Sequence, residues 1–323
     1  MGTIIAAVHV DDFLTIASSK DENERFKSQM REAWTISDLG DARFVIGMAV
    51  EWDRPRQAVF LSQKSLIDRI VLQFGQADAT PLSIPMSPGL KLRRANPDTL
   101  STDDRLSLSR LPYRSLVGSL LYLAICSRPD IAYAVQQLSQ FLDFFSFAHW
   151  HAAIRVVRYL KGTRHLRLRL GGTNGLRLLG YSDSDFTNCP DTRRSVGGYS
   201  FSLGSGVISW SAKKQKTVTT SSCEAEYVAA YGAAKENAWL CTLLKEIDII
   251  SSEPTTIFCD NNATICLSQD PLHHERVKHI DIKYHYLREQ AENKILKLQY
   301  INMNDNLADI FTKALEGSKF TRL

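Results

Sequence analysis

Four acidic residues in the second half of the chain, Asp183, Glu226, Asp260 and Asp309, stand where strands end or helices run. Asp183 closes the apolar run Leu176–Asp183, and Asp260 closes Thr256–Asp260. Glu226 falls in the first turn of a long helical pattern, Ser222–Ile247, and Asp309 lies on the last one, Asn306–Ala314. Strand ends and helix first turns project side chains into one crevice at the edge of an α/β sheet. Carboxylates gathered there hold their protons more tightly unless divalent cations neutralise them. An all-oxygen ligand set favours Mg²⁺, with Mn²⁺ as the alternative. Two such ions suit phosphodiester hydrolysis, activating a water and stabilising the leaving oxygen. From spacing alone the plainer reading, four solvated acids among 35 Asp and Glu, is the stronger one. No CxxC or HxxxH pair points to zinc.

The elements that must position these acids alternate between strand and helix. Strands are expected at Leu176–Asp183, Tyr199–Leu203, Gly206–Ser211, Thr256–Asp260 and Ile295–Ile301, with helices at Ser222–Ile247, Asn262–Ser268, Asp281–Asn293 and Asn306–Ala314. That order makes a mixed α/β sheet. The small, flexible Leu170-Gly-Gly-Thr-Asn-Gly175 marks a boundary before it. Upstream, two short strands flank Asp11-Asp12, a helix with an apolar stripe of Phe26, Met30 and Ala33 follows, and strands are expected near Phe44–Glu51 and Ala58–Leu61. A helix Ser62–Phe74 opens on a capping serine. The proline-rich stretch Ala79–Asp104 reads as extended connection, and helices resume at Tyr113–Cys126, Pro129–Phe141 and His149–Lys161.

With 323 residues and 44% hydrophobic side chains, the chain buries sizeable cores and is not globally disordered. The longest nearly apolar run, Ser115–Ser127, is too short to span a bilayer, and no secretory signal precedes it. Six widely spaced cysteines suit a reducing compartment, so an intracellular protein is expected, without membrane association. The net charge is only +4, yet Phe144–Ser182 has no acid and holds Arg155, Arg158 and Lys161. Lys213, Lys214 and Lys216 form a second basic cluster. Such patches fit a phosphate backbone, and equally a solvated face.

The residues around the acids carry more. Gly180-Tyr-Ser-Asp-Ser-Asp-Phe186, Arg193-Arg-Ser195, Ser209-Trp-Ser-Ala-Lys-Lys-Gln215 and Ser221-Ser-Cys-Glu-Ala-Glu-Tyr227 strongly resemble the ribonuclease H domain of copia-type LTR retrotransposons. Cys259-Asp-Asn-Asn-Ala263, Lys278-His-Ile-Asp-Ile-Lys-Tyr-His285 and Asn306-Leu-Ala-Asp-Ile-Phe-Thr-Lys313 continue the match in the same order. The resemblance implies a metal-dependent endonuclease cutting the RNA strand of RNA–DNA hybrids, with Asp183, Glu226, Asp260 and Asp309 as catalytic ligands of two Mg²⁺. It favours Glu226 over Glu224, because the family's Glu precedes an apolar run like Tyr227-Val-Ala229. Ser184 and Phe186 replace the usual Ala and Trp, and Asp185 reads as an accessory acid with a structural part as the stronger alternative. Contacts to the hybrid are expected from Ser221, Ser222, Asn261, Asn262, Lys213, Lys214 and Lys216, and from Arg155, Arg158 and Lys161 on the basic helix. His279, Asp281 and His285 match the motif without an assigned role.

His9-Val-Asp-Asp12 resembles the Tyr-Val-Asp-Asp hairpin of copia-type reverse transcriptases, with His9 in place of Tyr. Phe44-Val-Ile-Gly-Met-Ala-Val50, Leu61-Ser-Gln-Lys-Ser-Leu-Ile67, Tyr113–Tyr122, Ser127-Arg-Pro-Asp-Ile-Ala-Tyr133 and Arg158-Tyr-Leu-Lys-Gly162 extend the likeness across the chain. Asp11 and Asp12 become further metal ligands by this resemblance. The expected fold is α/β (α+β): a truncated palm and start of thumb over 1–110, a helical thumb or connection over 111–172, and a ribonuclease H-like domain with a five-stranded mixed sheet over 176–315. A palm strand and fingers normally precede the hairpin, and the family normally continues past Leu323. No polymerase activity is therefore expected from this chain alone. The expected partners are an RNA–DNA hybrid or other duplex, an upstream polymerase fragment and other retrotransposon proteins. The expected compartment is the cytoplasm, in a virus-like particle, or the nucleus. The alternative is a catalytically silent nucleic-acid-binding remnant.

Overall fold

The structure is a computed structural model describing residues 2–173, 175–249, 253–269 and 281–323. It opens with strands β1 (Ile4–His9) and β2 (Asp12–Ala17), joined by the two-residue loop Val10-Asp11. Val10 sits at φ 55°, a left-handed conformation that a β-branched side chain resists. This hairpin pairs with no third strand among the described residues, and Val8, Val10, Phe13 and Ile16 stand exposed on it. Helix α1 (Lys20–Ala33), capped by Ser19, follows with no buried residue. The expected apolar stripe of Phe26, Met30 and Ala33 thus meets no core, because a two-stranded ribbon is too narrow to cover a helix.

Where one strand was expected over Phe44–Glu51, the chain forms β3 (Phe44–Val45) and β4 (Met48–Asp53) around Ile46-Gly47. Both turn residues have positive φ, 45° and 68°, the geometry of a tight hairpin turn whose twist matches its strands. Tyr122 donates to the Ile46 carbonyl at 2.6 Å and fixes this turn from the helical layer. Ser62 ends β5 (Ala58–Ser62) rather than opening a helix; α2 (Lys64–Gln73) starts two residues later. β6 (Leu168–Gly171) then pairs with β5, giving the order β3-β4-β5-β6. The first residues of the expected flexible link are therefore strand.

The remaining helices of this half are α3 (Thr102–Ser109), α4 (Tyr113–Cys126), α5 (Ala132–Ser139) and α6 (Phe147–Gly162). One apolar core, including Ile67, Ile70, Leu116, Leu120, Leu138 and Leu160, joins α2, α4, α5 and α6 and runs across residue 110. Inside it the buried Arg128 grips Asp130 through Nε at 2.9 Å and Nη2 at 2.6 Å, and also donates to Thr163. The Tyr159 hydroxyl donates to the same Asp130 carboxylate at 2.5 Å. Buried charge of this kind holds only when every donor has a partner.

The C-terminal half is built from β7 (Leu178–Asp185), β8 (Val196–Leu203), β9 (Gly206–Lys214), α7 (Ser222–Glu246), β10 (Thr255–Cys259), α8 (Asn262–Gln269), α9 (Asp281–Glu292) and β11 (Leu296–Tyr300). Its sheet has the order β11-β10-β7-β8-β9, with β7, β8 and β9 antiparallel and β10 and β11 parallel to β7. Ala225, Ala229, Ala230, Ala233 and Ala234 are buried along α7, small side chains that let this helix lie close to the sheet. The expected helix Asn306–Ala314 is instead a short 3-10 helix, Leu307–Phe311, and a further helix, α10 (Gly317–Arg322), follows it. The two halves meet directly. Val196 joins the helical core, Trp210 Nε1 donates to the Ala124 carbonyl at 2.8 Å, and Phe320 packs edge-on against Tyr159. Among the described residues no helix is long and apolar enough to cross a membrane.

Candidate active site

Parallel pairing of β7 with β10 brings the C-terminal ends of both strands to the same sheet edge. Asp183 lies near the end of β7 with 1% of its surface exposed, and Asp260 is the residue that follows β10. Glu226 is the fifth residue of α7, so it projects from the second turn rather than the first. One ligand oxygen from each of Asp183, Glu226 and Asp260 lies within 4.8 Å of the others. Glu226 Oε1 accepts the Ser184 backbone N–H at 3.1 Å, while its buried Oε2 has no hydrogen-bond partner among the described residues. Glu224, in the first turn, is spent otherwise: it accepts the Thr220 N–H at 2.6 Å and hydroxyl at 2.7 Å, closing the helix start.

Asp309 is fully buried on the 3-10 helix beside that triad, outside the three-carboxylate convergence itself. Lys313 Nζ lies 2.8 Å from Asp309 Oδ1 and 3.6 Å from Asp183 Oδ2, while Lys319 of α10 pairs with Asp309 Oδ2. Two further contacts hold the segment in place, next to a strand pair on which it lies. Asn306 donates to the Ser182 carbonyl at 3.0 Å, the Thr312 hydroxyl donates to Asp183, and Gly198 faces Asp183 across the β7–β8 pair. A Cβ on Gly198 would come within 2.6 Å of the Phe311 Cβ, so only glycine lets the 3-10 helix lie against β8.

Burial pushes the Asp183 carboxyl up, opposed by Lys313 and assisted by Asp309. Burial also raises Glu226, with Asp183 and Asp260 adding to it, and it raises Asp260, with Asp309 adding to that. Burial works against the charge of Lys313, but Asp183 and Asp309 outweigh it and hold that ammonium firmly protonated. The triad is thus a cluster of hard oxygen donors whose negative charge lacks full compensation. That donor set, together with the unpartnered Glu226 oxygen, fits a divalent cation of the Mg²⁺ or Mn²⁺ kind.

The other expected site residues fall elsewhere. Asp11 and Asp12 are exposed in and beside the β1–β2 turn, and no third acid joins them among the described residues. Ser221 caps α7 by accepting the Glu224 N–H, with Ser222 exposed after it. Lys213 and Lys216 are exposed at the end of β9, whereas Lys214 points back to Cys189 Sγ at 3.7 Å. Asn261 caps α8 through the Thr264 N–H, and Asn262 is exposed. Arg158 donates to the Thr80 carbonyl at 2.9 Å, and Lys161 to those of Ala77 and Ala79, fastening the connector to α6. Arg155 is half-buried on the same helix. Asp185 accepts a hydrogen bond from Asn188, in keeping with a structural part. His279 and the side chain of Asp281 lie outside what the structure describes. Thr312, Lys313, Lys319 and Gln215 join the site in the structure without a signal of their own in the sequence. Gln215 links the Ser184 hydroxyl to the Ala225 carbonyl, and Lys313 was readable only as the residue one helical turn after Asp309.

Residues 1–88 match the reverse transcriptase (RNA-dependent DNA polymerase) family. The Retrovirus-related Pol polyprotein from transposon TNT 1-94 of Nicotiana tabacum is 37% identical over 98% of this chain and 24% of its own length. A transposon Ty5-1 protein of Saccharomyces cerevisiae is 32% identical over 71% of this chain and 72% of its own length. The chain belongs to the copia-type retrotransposon Pol family. This Pol chain spans about a quarter of the first curated relatives it matches. In three dimensions it is similar to the foamy viral protease-reverse transcriptase, with a TM-score of 0.50 and 13% identity over 96% of this chain and 37% of that one. The likeness concerns the fold.

Proposed function

We propose that this Pol chain hydrolyses the RNA strand of RNA–DNA hybrids at the Asp183–Glu226–Asp260 site. The observation that carries this reading is the convergence of three carboxylates from three separate elements within 4.8 Å, with a buried Glu226 oxygen left unpartnered. Asp183, Glu226 and Asp260 would hold a divalent cation, Mg²⁺ or Mn²⁺, with Asp309 the fourth acid at its side. Bound there, the cation supplies Lewis-acid activation of a water and stabilises the leaving oxygen of a phosphodiester. The chain's own residues fix the geometry: Ser184 orients Glu226, Thr312 orients Asp183, and Gly198 admits the segment carrying Asp309.

The 13% identical structural neighbour is described in complex with an RNA/DNA hybrid. A hybrid here would be read through its backbone and shape, with the exposed Lys213, Lys216, Ser222 and Asn262 as phosphate contacts. Residues 176–315 would carry the chemistry, with the preceding helices as its support. Asp11 and Asp12 gather no further acid among the described residues. A catalytically silent binding protein is the competing reading, favoured by one feature, the pairing of Asp309 with two lysines. Cleavage of a labelled hybrid by the full chain in Mg²⁺, repeated with Asp260→Asn, separates the two. Equal, negligible cleavage by both would leave only the silent reading.

A further inference from the structure

The loop that leaves the strand carrying Asp183 is held by the other half of the chain. Residues 186–195 join β7 to β8, and among them Asn188 is buried, with 4% of its surface exposed. Every polar atom of its side chain has a partner. Its Nδ2 donates to the Tyr133 hydroxyl at 3.3 Å and to the Asp185 carboxylate, and its Oδ1 accepts from Gln137 Nε2 at 3.3 Å. Tyr133 and Gln137 stand four residues apart on α5 and so share one face of that helix. Asp185 lies two residues after Asp183 on β7, on the same side of the strand. Beside this junction Lys91 donates to the Asn188 carbonyl at 3.4 Å, and the Arg94 backbone N–H donates to Asp191 at 2.9 Å. Val196, which faces Asp185 across the β7–β8 pair, is buried in the helical core.

We infer that Asn188 is a positioning residue through which Tyr133 and Gln137 of the helical half fix the end of β7, and with it Asp183. This rests on the hydrolytic reading above and adds to it the control of that site by the upstream half. The junction demands an amide, because one side chain must donate to a carboxylate and a phenol while accepting from a second amide. A carboxylate at this position could not donate to Asp185, and an apolar side chain would strand the polar groups around it. Burial pushes the Tyr133 hydroxyl up to about 12, with Asn188 opposing and Asp185 adding, so the phenol stays neutral beside that carboxylate. A shift of α5 therefore reaches Asp183 through one amide and two residues of strand. Displacing reacting groups by about 1 Å costs roughly 100-fold in rate.

Hybrid cleavage by the full chain, with kcat and KM separated, tests this together with hydrogen exchange of the Ser184 amide, which needs no activity. Asn188→Asp sets a carboxylate against Asp185 and is expected to lower kcat by about 100-fold at unchanged KM, and to speed exchange at Ser184. Combining Asn188→Asp with Asp185→Asn reverses donor and acceptor in that bond and keeps Tyr133 and Gln137 partnered. This double variant is expected to recover most of kcat and the slow exchange, a rescue that a loss of packing alone would not give. Tyr133→Phe, in the other half, keeps the ring and removes the hydroxyl, and is expected to lower kcat by about 2–10-fold, the worth of one hydrogen bond. It decides the matter if Asn188→Asp fails to fold. Wild-type kcat and Ser184 exchange in the folded variants, a change confined to KM, or a double variant no better than Asn188→Asp would each overturn the inference. A wild type that leaves the hybrid uncut would overturn the hydrolytic reading instead, and exchange at Ser184 would then decide the coupling by itself.

Discussion

The Ser184 backbone N–H donates to Glu226 Oε1 at 3.1 Å, so the residue next to Asp183 on β7 is the one that holds the α7 carboxylate in place. Two acids far apart in the chain are thereby set by adjacent peptide units. The arrangement crowds negative charge in a buried position, and its energetic consequences are measurable.

Asp183→Asn should stabilise the metal-free protein while abolishing cleavage. The side chain is buried with its carboxyl pushed up, so the charged form is disfavoured in the fold. Raised folded pKa values at Asp183, Glu226 and Asp260 mean that the native state binds more protons than the unfolded chain above the ordinary carboxylate range near pH 4. Their contribution to stability therefore falls as pH rises through that window toward neutrality. Thermal unfolding of the metal-free protein between pH 5 and pH 8 should show this decline, flattened in Asp183→Asn and relieved by Mg²⁺. His149 works oppositely: burial lowers it to about 4, so its contribution is lost as pH falls below about 6.5. A metal-free protein whose Asp183→Asn variant is less stable at pH 8 would contradict the charge-crowding account.

Thr312→Val removes the hydroxyl that donates to Asp183, and Thr312 is not itself a proposed ligand. Such outer contacts typically control metal affinity by about 10–100-fold. Mn²⁺ titration should show a loss in that range with little change in unfolding temperature. Unaltered affinity would remove Thr312 from the positioning of Asp183.

Gly198→Ala drives a methyl into Phe311 and Thr312, and overpacking of this kind costs about 1–3 kcal/mol. Gly232→Ala, in the middle of α7 with open space around its Cβ position, should instead stabilise by roughly 0.5–1 kcal/mol. Urea unfolding of the pair checks both signs. Cleavage should fall with the first and survive the second.

Asp130→Asn leaves the buried Arg128 charge without its partner, and losses of about 3–5 kcal/mol follow from stranding one half of a buried pair. Because Tyr159 donates to Asp130 and also packs against Phe320, the variant should loosen α10 as well. Hydrogen exchange of α10 amides, faster in Asp130→Asn than in wild type, is the expected signature.

Asp183 and Asp260 are legible in the sequence because each closes an apolar run, and parallel pairing does the rest. Choosing Glu226 over Glu224 needed the family motif. In the structure Glu224 is occupied by the Thr220 backbone and hydroxyl. The mixed five-stranded sheet emerged from the alternation of patterns, with strand ends displaced by a few residues. The Ile46-Gly47 turn stayed hidden because isoleucine at positive φ carries no turn signature, and its support comes from Tyr122 in a distant helix. Lys319 was equally hidden. Its place depends on α10 docking through Phe320 onto Tyr159, a contact that local pattern does not encode. Arg158 and Lys161 looked like phosphate ligands by charge alone, whereas the carbonyls that they bind in residues 77–80 belong to the connector.

The most direct measurement is Mg²⁺-dependent cleavage of an end-labelled RNA strand annealed to DNA, with the same RNA single-stranded as control. The wild-type chain should cut the hybrid and spare the free RNA, and Asp260→Asn should lose about 100-fold or more. Cleavage that persists in Asp260→Asn, or that proceeds equally in EDTA, would contradict a metal-dependent site at Asp183, Glu226 and Asp260.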